Sequence, residues 1–150
     1  MVLNNLEPSQ NCYDLIAKFE GMALKAYLCP SGVWTIGYGH TAGVKKGMTI
    51  TKTEAEKLLK SDVKVFSAAV NRLVKVELNQ NQFDALVSFT FNVGIGNLQG
   101  STLLRVLNKG SYNEVPEQMK RWKYGSNRKL LNGLVRRRDE ESKLWLKRSN

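Results

Sequence analysis

Glu20 is the residue of this chain best suited to acid chemistry, since it stands where a helical pattern gives way to Gly21, beside Phe19 and just before Met22 and Leu24. A carboxylate near the negative end of a helix and against apolar groups has its charged form disfavoured on two counts, which suits a proton donor. Alone, it reads more readily as a solvent-facing glutamate in a last helical turn. His40 is the only histidine and invites a proton-transfer role. A plainer reading makes it an anchor, paired with Asp62 on the inward stripe of a long helix. Of the two cysteines, Cys12 falls on the apolar face of the first helix and reads as a small buried hydrophobe, whereas Cys29 falls in a turn. A helix-face cysteine and a turn cysteine point apart, so no disulfide is expected between them. Two cysteines and one histidine also leave little for a zinc site, and no metal is expected.

The elements that must position these groups follow from patterning. Behind Ser9 as N-cap, Cys12, Leu15, Ile16 and Phe19 repeat at helical spacing until Gly21. Leu24 to Leu28, the turn residues Cys29 to Gly32, and Val33 to Tyr38 then predict a small hairpin. Thr51 and Glu54 form a capping box, and Ala55, Leu58, Leu59, Asp62, Phe66, Ala69, Val70 and Leu73 keep one face for about six turns. Asn79 and Gln82 repeat the capping logic before a stripe of Phe83, Leu86, Val87 and Phe91 that stops at Gly94. Shorter helices are predicted at Thr102 to Asn108 and around Glu114 to Trp122. A polar loop from Lys123 to Asn132 precedes a last helix from about Gly133 to Lys147. One hairpin followed by about five helices is an α+β chain dominated by helix. Because a lone hairpin is not stable in water, it must dock on helices, and the seam between them is the expected cleft.

With 150 residues the chain is expected to form one domain, and its 42% hydrophobic and 24% charged content fits an ordinary globular protein. No stretch approaches the roughly 20 apolar residues of a membrane span. Met1 to Gln10 has neither the basic start nor the apolar run of a secretory signal, so a cytoplasmic site of synthesis and storage is expected. Charge is uneven. The net charge is +10, and residues 119–150 alone hold 11 Lys and Arg against three Asp and Glu. Lys120, Arg121, Lys123, Arg128, Lys129 and the run Arg136, Arg137, Arg138 therefore suggest an anionic partner such as nucleic acid, anionic lipid, lipopolysaccharide or an acidic wall polymer. A merely solvated basic face is the alternative. No nucleic-acid module accompanies the cluster, so no specific nucleic acid is expected.

From Glu20 the chain runs eight residues to Cys29, five more to Thr35, and through Trp34 to His40 it reads Trp-Thr-Ile-Gly-Tyr-Gly-His. This closely resembles the phage-type lysozymes, the endolysin muramidases of glycoside hydrolase family 24. Their pattern is Glu, eight residues, Asp or sometimes Cys, five residues, Thr, and such a strand. The likeness extends to the segments 50–59, 81–94 and 133–145. It implies a two-lobed lysozyme fold over residues 1–150, with a small N-terminal hairpin lobe and a helical C-terminal lobe joined by a long helix.

The resemblance also implies hydrolysis of the β-1,4 bond between N-acetylmuramic acid and N-acetylglucosamine in peptidoglycan, causing host lysis and needing no cofactor. Glu20 would protonate the departing oxygen, the Cys29 position would assist on the other sugar face, and Thr35 would hold the attacking water. Cys29 departs from the commoner carboxylate. With a reference pKa near 8.5, its thiol could be a thiolate base or nucleophile, a stand-in beside an otherwise sufficient Glu20 and Thr35, or a packing residue. Ser101 falls in the segment that lines the far side of the sugar groove and is carried as a weak substrate contact. A lytic transglycosylase is the nearest alternative enzyme, and Thr35 in the water-holding place favours hydrolysis. A non-enzymatic anion binder is the alternative outside enzymes. Peptidoglycan strands are the expected partner, with anionic envelope lipid or lipopolysaccharide possible at the basic end. The expected life history is that of a monomer kept in the host cytoplasm and released to the periplasm through a holin.

Overall fold

A computed structural model describes residues 3–125 and 128–148. Met1 and Val2 of the N-terminal segment, and Ser126 and Asn127 of the polar loop, lie outside the described residues. Helix α1 (Gln10–Glu20) ends at Gly21, whose φ of 71° breaks the helix while its N–H still donates to the Ala17 carbonyl. Ser9 occupies the N-cap without capping. Its hydroxyl and N–H both go to Asp84 instead, tying α1 to the central helix.

Strands β1 (Ala23–Leu28) and β2 (Trp34–Gly37) form the antiparallel hairpin, with Tyr27 opposite Thr35 and Leu28 opposite Trp34. The far edge of β1 takes hydrogen bonds that the sequence pattern does not reveal. Ala26 donates to Met48, and Ile50 donates to Leu24. Both sides of β1 are thereby paired, which stabilises a hairpin that has only two strands of its own.

Helix α2 (Lys52–Leu73) opens on the complete Thr51–Glu54 capping box and spans about 33 Å at 1.5 Å per residue. The hairpin packs on it through β2, and α3 (Gln80–Val93) packs further along it, so α2 bridges the two lobes. The Asn79–Gln82 box starts α3. Instead of one apolar stripe, every residue from Phe83 to Thr90 is buried, as befits a helix surrounded by others, while Phe91 is only partly covered. Helices α1, α2 and α7 (Asn132–Leu146) pack around it.

The helical lobe is completed by α4 (Ile95–Gln99), α5 (Thr102–Asn108), a 3₁₀ turn (Tyr112–Glu114) and α6 (Val115–Lys120), which carries Pro116 in its first turn. Six α-helices thus follow the hairpin among the described residues, not five. Helix α4 has five residues between Gly94 and Gly100, too few for a periodic signal.

Candidate active site

Glu20 closes α1 at the seam between hairpin and helices, with a side chain that is 23% exposed. Its Oε2 accepts a hydrogen bond from Arg137 Nη1 at 2.7 Å. The other oxygen, Oε1, faces Gly39, where a Cβ built on the backbone would stand only 3.0 Å away. Gly39 also has a φ of 80°, so the bend after β2 brings bare backbone against the carboxylate at a place where a side chain would be strained and would push Glu20 aside. With Oε2 accepting from a cation, Oε1 is the carboxyl oxygen left without a donor. Glu20 and Gly39 line a recess of about 360 Å³ whose walls also include His40, Asp62, Phe66, Phe91 and Asn92.

Arg137 is the partner of Glu20 that sequence reasoning missed. Its guanidinium is 3% exposed and all three nitrogens are engaged, with Nη1 on Glu20, Nε on Glu141 Oε2 at 3.2 Å and Nη2 on the Ser88 carbonyl at 3.2 Å. Glu141 is wholly buried. It also accepts from the Ser88 hydroxyl at 2.7 Å and pairs with Arg138 Nε at 2.7 Å. Burial pushes the Glu141 carboxyl up, and the Arg138 and Arg137 guanidinium groups oppose it. Burial likewise pushes Arg138 down, opposed first by Glu141, and its guanidinium stacks 4.9 Å from the Phe89 ring.

Two members of the Arg136, Arg137, Arg138 run are therefore no part of a basic surface. One buried carboxylate facing two guanidinium groups, with the hydroxyl and carbonyl of Ser88 completing the set, offsets desolvation that an unpaired charge could not bear. The signal was present as Leu134, Arg138, Glu141 and Trp145 at helical spacing, charged residues on a face otherwise apolar. The neighbour of Glu20 is likewise not the purely apolar set that Phe19, Met22 and Leu24 suggest. The decisive partner lies 117 residues away, beyond the reach of local pattern.

Cys29 and Thr35 sit together on the hairpin and do not line the recess beside Glu20. The Cys29 thiol contacts the Ser31 hydroxyl at 2.8 Å. That hydroxyl, then backbone hydrogen bonding from Val33, and last the Thr35 hydroxyl bring the thiol down to about 7. Thr35 is buried and donates to the Val33 carbonyl at 3.1 Å. Both thiols are free, and burial raises Cys12 well above the ordinary thiol range.

His40 Nδ1 contacts Asp62 Oδ2 at 2.8 Å, and Nε2 contacts the Ala42 carbonyl at 2.9 Å. Both ring nitrogens are thus engaged with oxygens of the protein itself, which leaves neither turned to a substrate. Ser101 caps α5, accepting from Leu104 N–H at 3.0 Å and donating to the Leu98 carbonyl at 2.7 Å. Among the described residues no group of three or more His, Cys, Asp or Glu is placed to hold a metal ion.

The phage lysozyme family model matches residues 17–141, spanning Glu20, Cys29, Thr35, Arg137 and Glu141. The chain belongs to the phage lysozyme family. It is a lysozyme-type hydrolase of the endolysin kind. An endolysin of Acyrthosiphon pisum secondary endosymbiont phage 1 is 42% identical to this lysozyme over 134 residues, 87% of this chain and 92% of that one. An endolysin of Bacillus phage B103 is 45% identical over 92% of this chain, which spans only 53% of that relative's length. Among solved structures, the muramidase domain of SpmX from Asticaccaulis excentricus superposes with a TM-score of 0.91 at 40% identity, covering 96% of this lysozyme and all of that domain.

Proposed function

We propose that this lysozyme hydrolyses the β-1,4 bond between N-acetylmuramic acid and N-acetylglucosamine in bacterial peptidoglycan, with Glu20 as its acid. The observation that carries the reading is the Glu20 carboxyl, fixed at Oε2 by Arg137 and lining, beside Gly39, the recess between the lobes. Cleavage of an acetal needs a proton on the departing oxygen and a group on the other sugar face that orients or activates water. In this mechanism Oε1 delivers its proton as the bond from the anomeric carbon to the glycosidic oxygen breaks. Water adds to that carbon. Its proton passes to Cys29 as thiolate, while the Thr35 hydroxyl holds the water. A thiol brought down to about 7 is substantially ionised at neutral pH, which favours the base over a passive stand-in.

His40 and Asp62 brace the hairpin against α2 without taking part in the chemistry. Ser101 keeps one acceptor lone pair for a glycan hydroxyl, a minor contact. Kinship with phage endolysins supports release to the cell wall, and the same reading has the enzyme act as a monomer held in the host cytoplasm until a holin lets it reach the periplasm. The basic end then meets an anionic component of the envelope. The test of the activity is digestion of purified peptidoglycan with the soluble fragments read by mass spectrometry. Reducing muramic ends support hydrolysis, and anhydro ends would move the enzyme to the transglycosylases.

A further inference from the structure

Lys120 at the end of α6, Lys123, and Arg136 on α7 surround a recess of about 350 Å³ with the buried Arg138 in its wall. Asp139 is the only acid lining it and is already paired with Lys143 at 3.1 Å. Lys120, Arg121 and Arg136 pair with no carboxylate among the described residues, and Lys123 extends over the Tyr124 ring at 5.8 Å. The same surface exposes apolar side chains. Tyr124, Leu130, Leu131 and Val135 are between 39% and 55% exposed. Backbone pairing groups them: Tyr124 bridges Leu130, Leu131 N–H donates to the Lys123 carbonyl, and Val135 N–H donates to the Leu131 carbonyl. Val135 lines the cationic recess itself, joining the two kinds of surface.

We propose that this surface docks the enzyme on an anionic phospholipid bilayer. The inference rests on the reading above that the basic end meets an anionic envelope component, and it names that component. A soluble acidic polymer would neutralise the cations and leave four apolar side chains in water. A bilayer interface accepts both, with phosphates at the cations and the leucines, valine and tyrosine ring at the acyl boundary. The contact is peripheral, since no helix among the described residues is long and apolar enough to cross a membrane. Docking of this kind keeps a wall hydrolase beside the wall it digests. It uses residues distinct from Glu20, Cys29 and Thr35.

The experiment is cosedimentation of the enzyme with mixed phosphatidylcholine and phosphatidylglycerol vesicles and with pure phosphatidylcholine vesicles, at low and high salt. The parent partitions onto the anionic vesicles and not the neutral ones. Lys120→Gln with Arg136→Gln lowers the partition about twenty-five-fold, about fivefold per charge removed. Tyr124→Ser with Leu130→Ser abolishes the part of binding that survives high salt. Both double variants still digest purified peptidoglycan at the parental rate, which shows that they are folded, and Glu20→Gln binds vesicles like the parent. Failure of the hydrolase reading is thereby separated from failure of docking. Absence of parental binding, equal binding to neutral vesicles, or parental binding by the charge-neutral variant would overturn the proposal. So would a charge dependence found on purified wall but not on vesicles.

Discussion

Glu20 and Cys29 are held in place from very different distances along the chain. Glu20 takes its partner from α7, 117 residues away, and that partner is fixed in turn by the buried Glu141 and by Ser88 of α3. Cys29 takes its partners from Ser31, Val33 and Thr35, all within six residues on one hairpin. The acid therefore depends on correct packing of three helices, and the thiol depends on little beyond its own turn. Damage to the first region should unfold or silence the enzyme, and damage to the second should retune it.

The largest effect is expected at the buried charges. Glu141→Ala leaves two guanidinium groups without their carboxylate and should cost about 3–5 kcal/mol, visible as a fall in denaturation midpoint. Replacement with loss under 1 kcal/mol would mean that Arg137 is held by other means. Next comes the thiol. Cys29→Ala should lower turnover of purified peptidoglycan about a hundredfold while leaving the midpoint unchanged.

The pH profile sharpens the same point. A base must be ionised, so parental activity should fall as pH drops through about 7. Cys29→Asp should retain lysis and carry this acid limb down toward the carboxylate range near 4. An alanine variant as active as the parent would remove the thiol from the mechanism. Between the lobes, Asp62→Asn should cost about 1–2 kcal/mol by weakening the His40 contact at 2.8 Å, with turnover preserved in the folded fraction. A matching fall in turnover would instead give the pair a part in the chemistry. Smallest is Ser31→Ala. It removes the chief influence lowering the thiol, so the acid limb should move up by less than about one pH unit.

The difference between the two regions also explains what could be read from the sequence. Capping boxes at Thr51 and Asn79, the break at Gly21 and the turn from Cys29 to Gly32 are local signals, and the corresponding elements stand where those signals put them. The hairpin that carries Cys29 and Thr35 was legible for the same reason. Helix α4 was not, because five residues carry no period, and neither was the pairing of 48–50 along β1. Arg137 was hidden differently. Read as charge, it joined Arg136 and Arg138 in a basic run. Only the helical spacing that places Glu141 four residues from Arg137 and three from Arg138 separates a buried ion cluster from a solvent-facing arginine.

The central claim is that Glu20, aimed by Arg137, donates the proton that breaks the glycosidic bond. The most direct test is the initial rate of Glu20→Gln on purified peptidoglycan, measured beside its denaturation midpoint. The amide keeps the shape and can still accept from Arg137, but it has no proton to give. A folded variant slowed by at least about a thousandfold is the predicted result. A folded variant within tenfold of the parent would contradict the account.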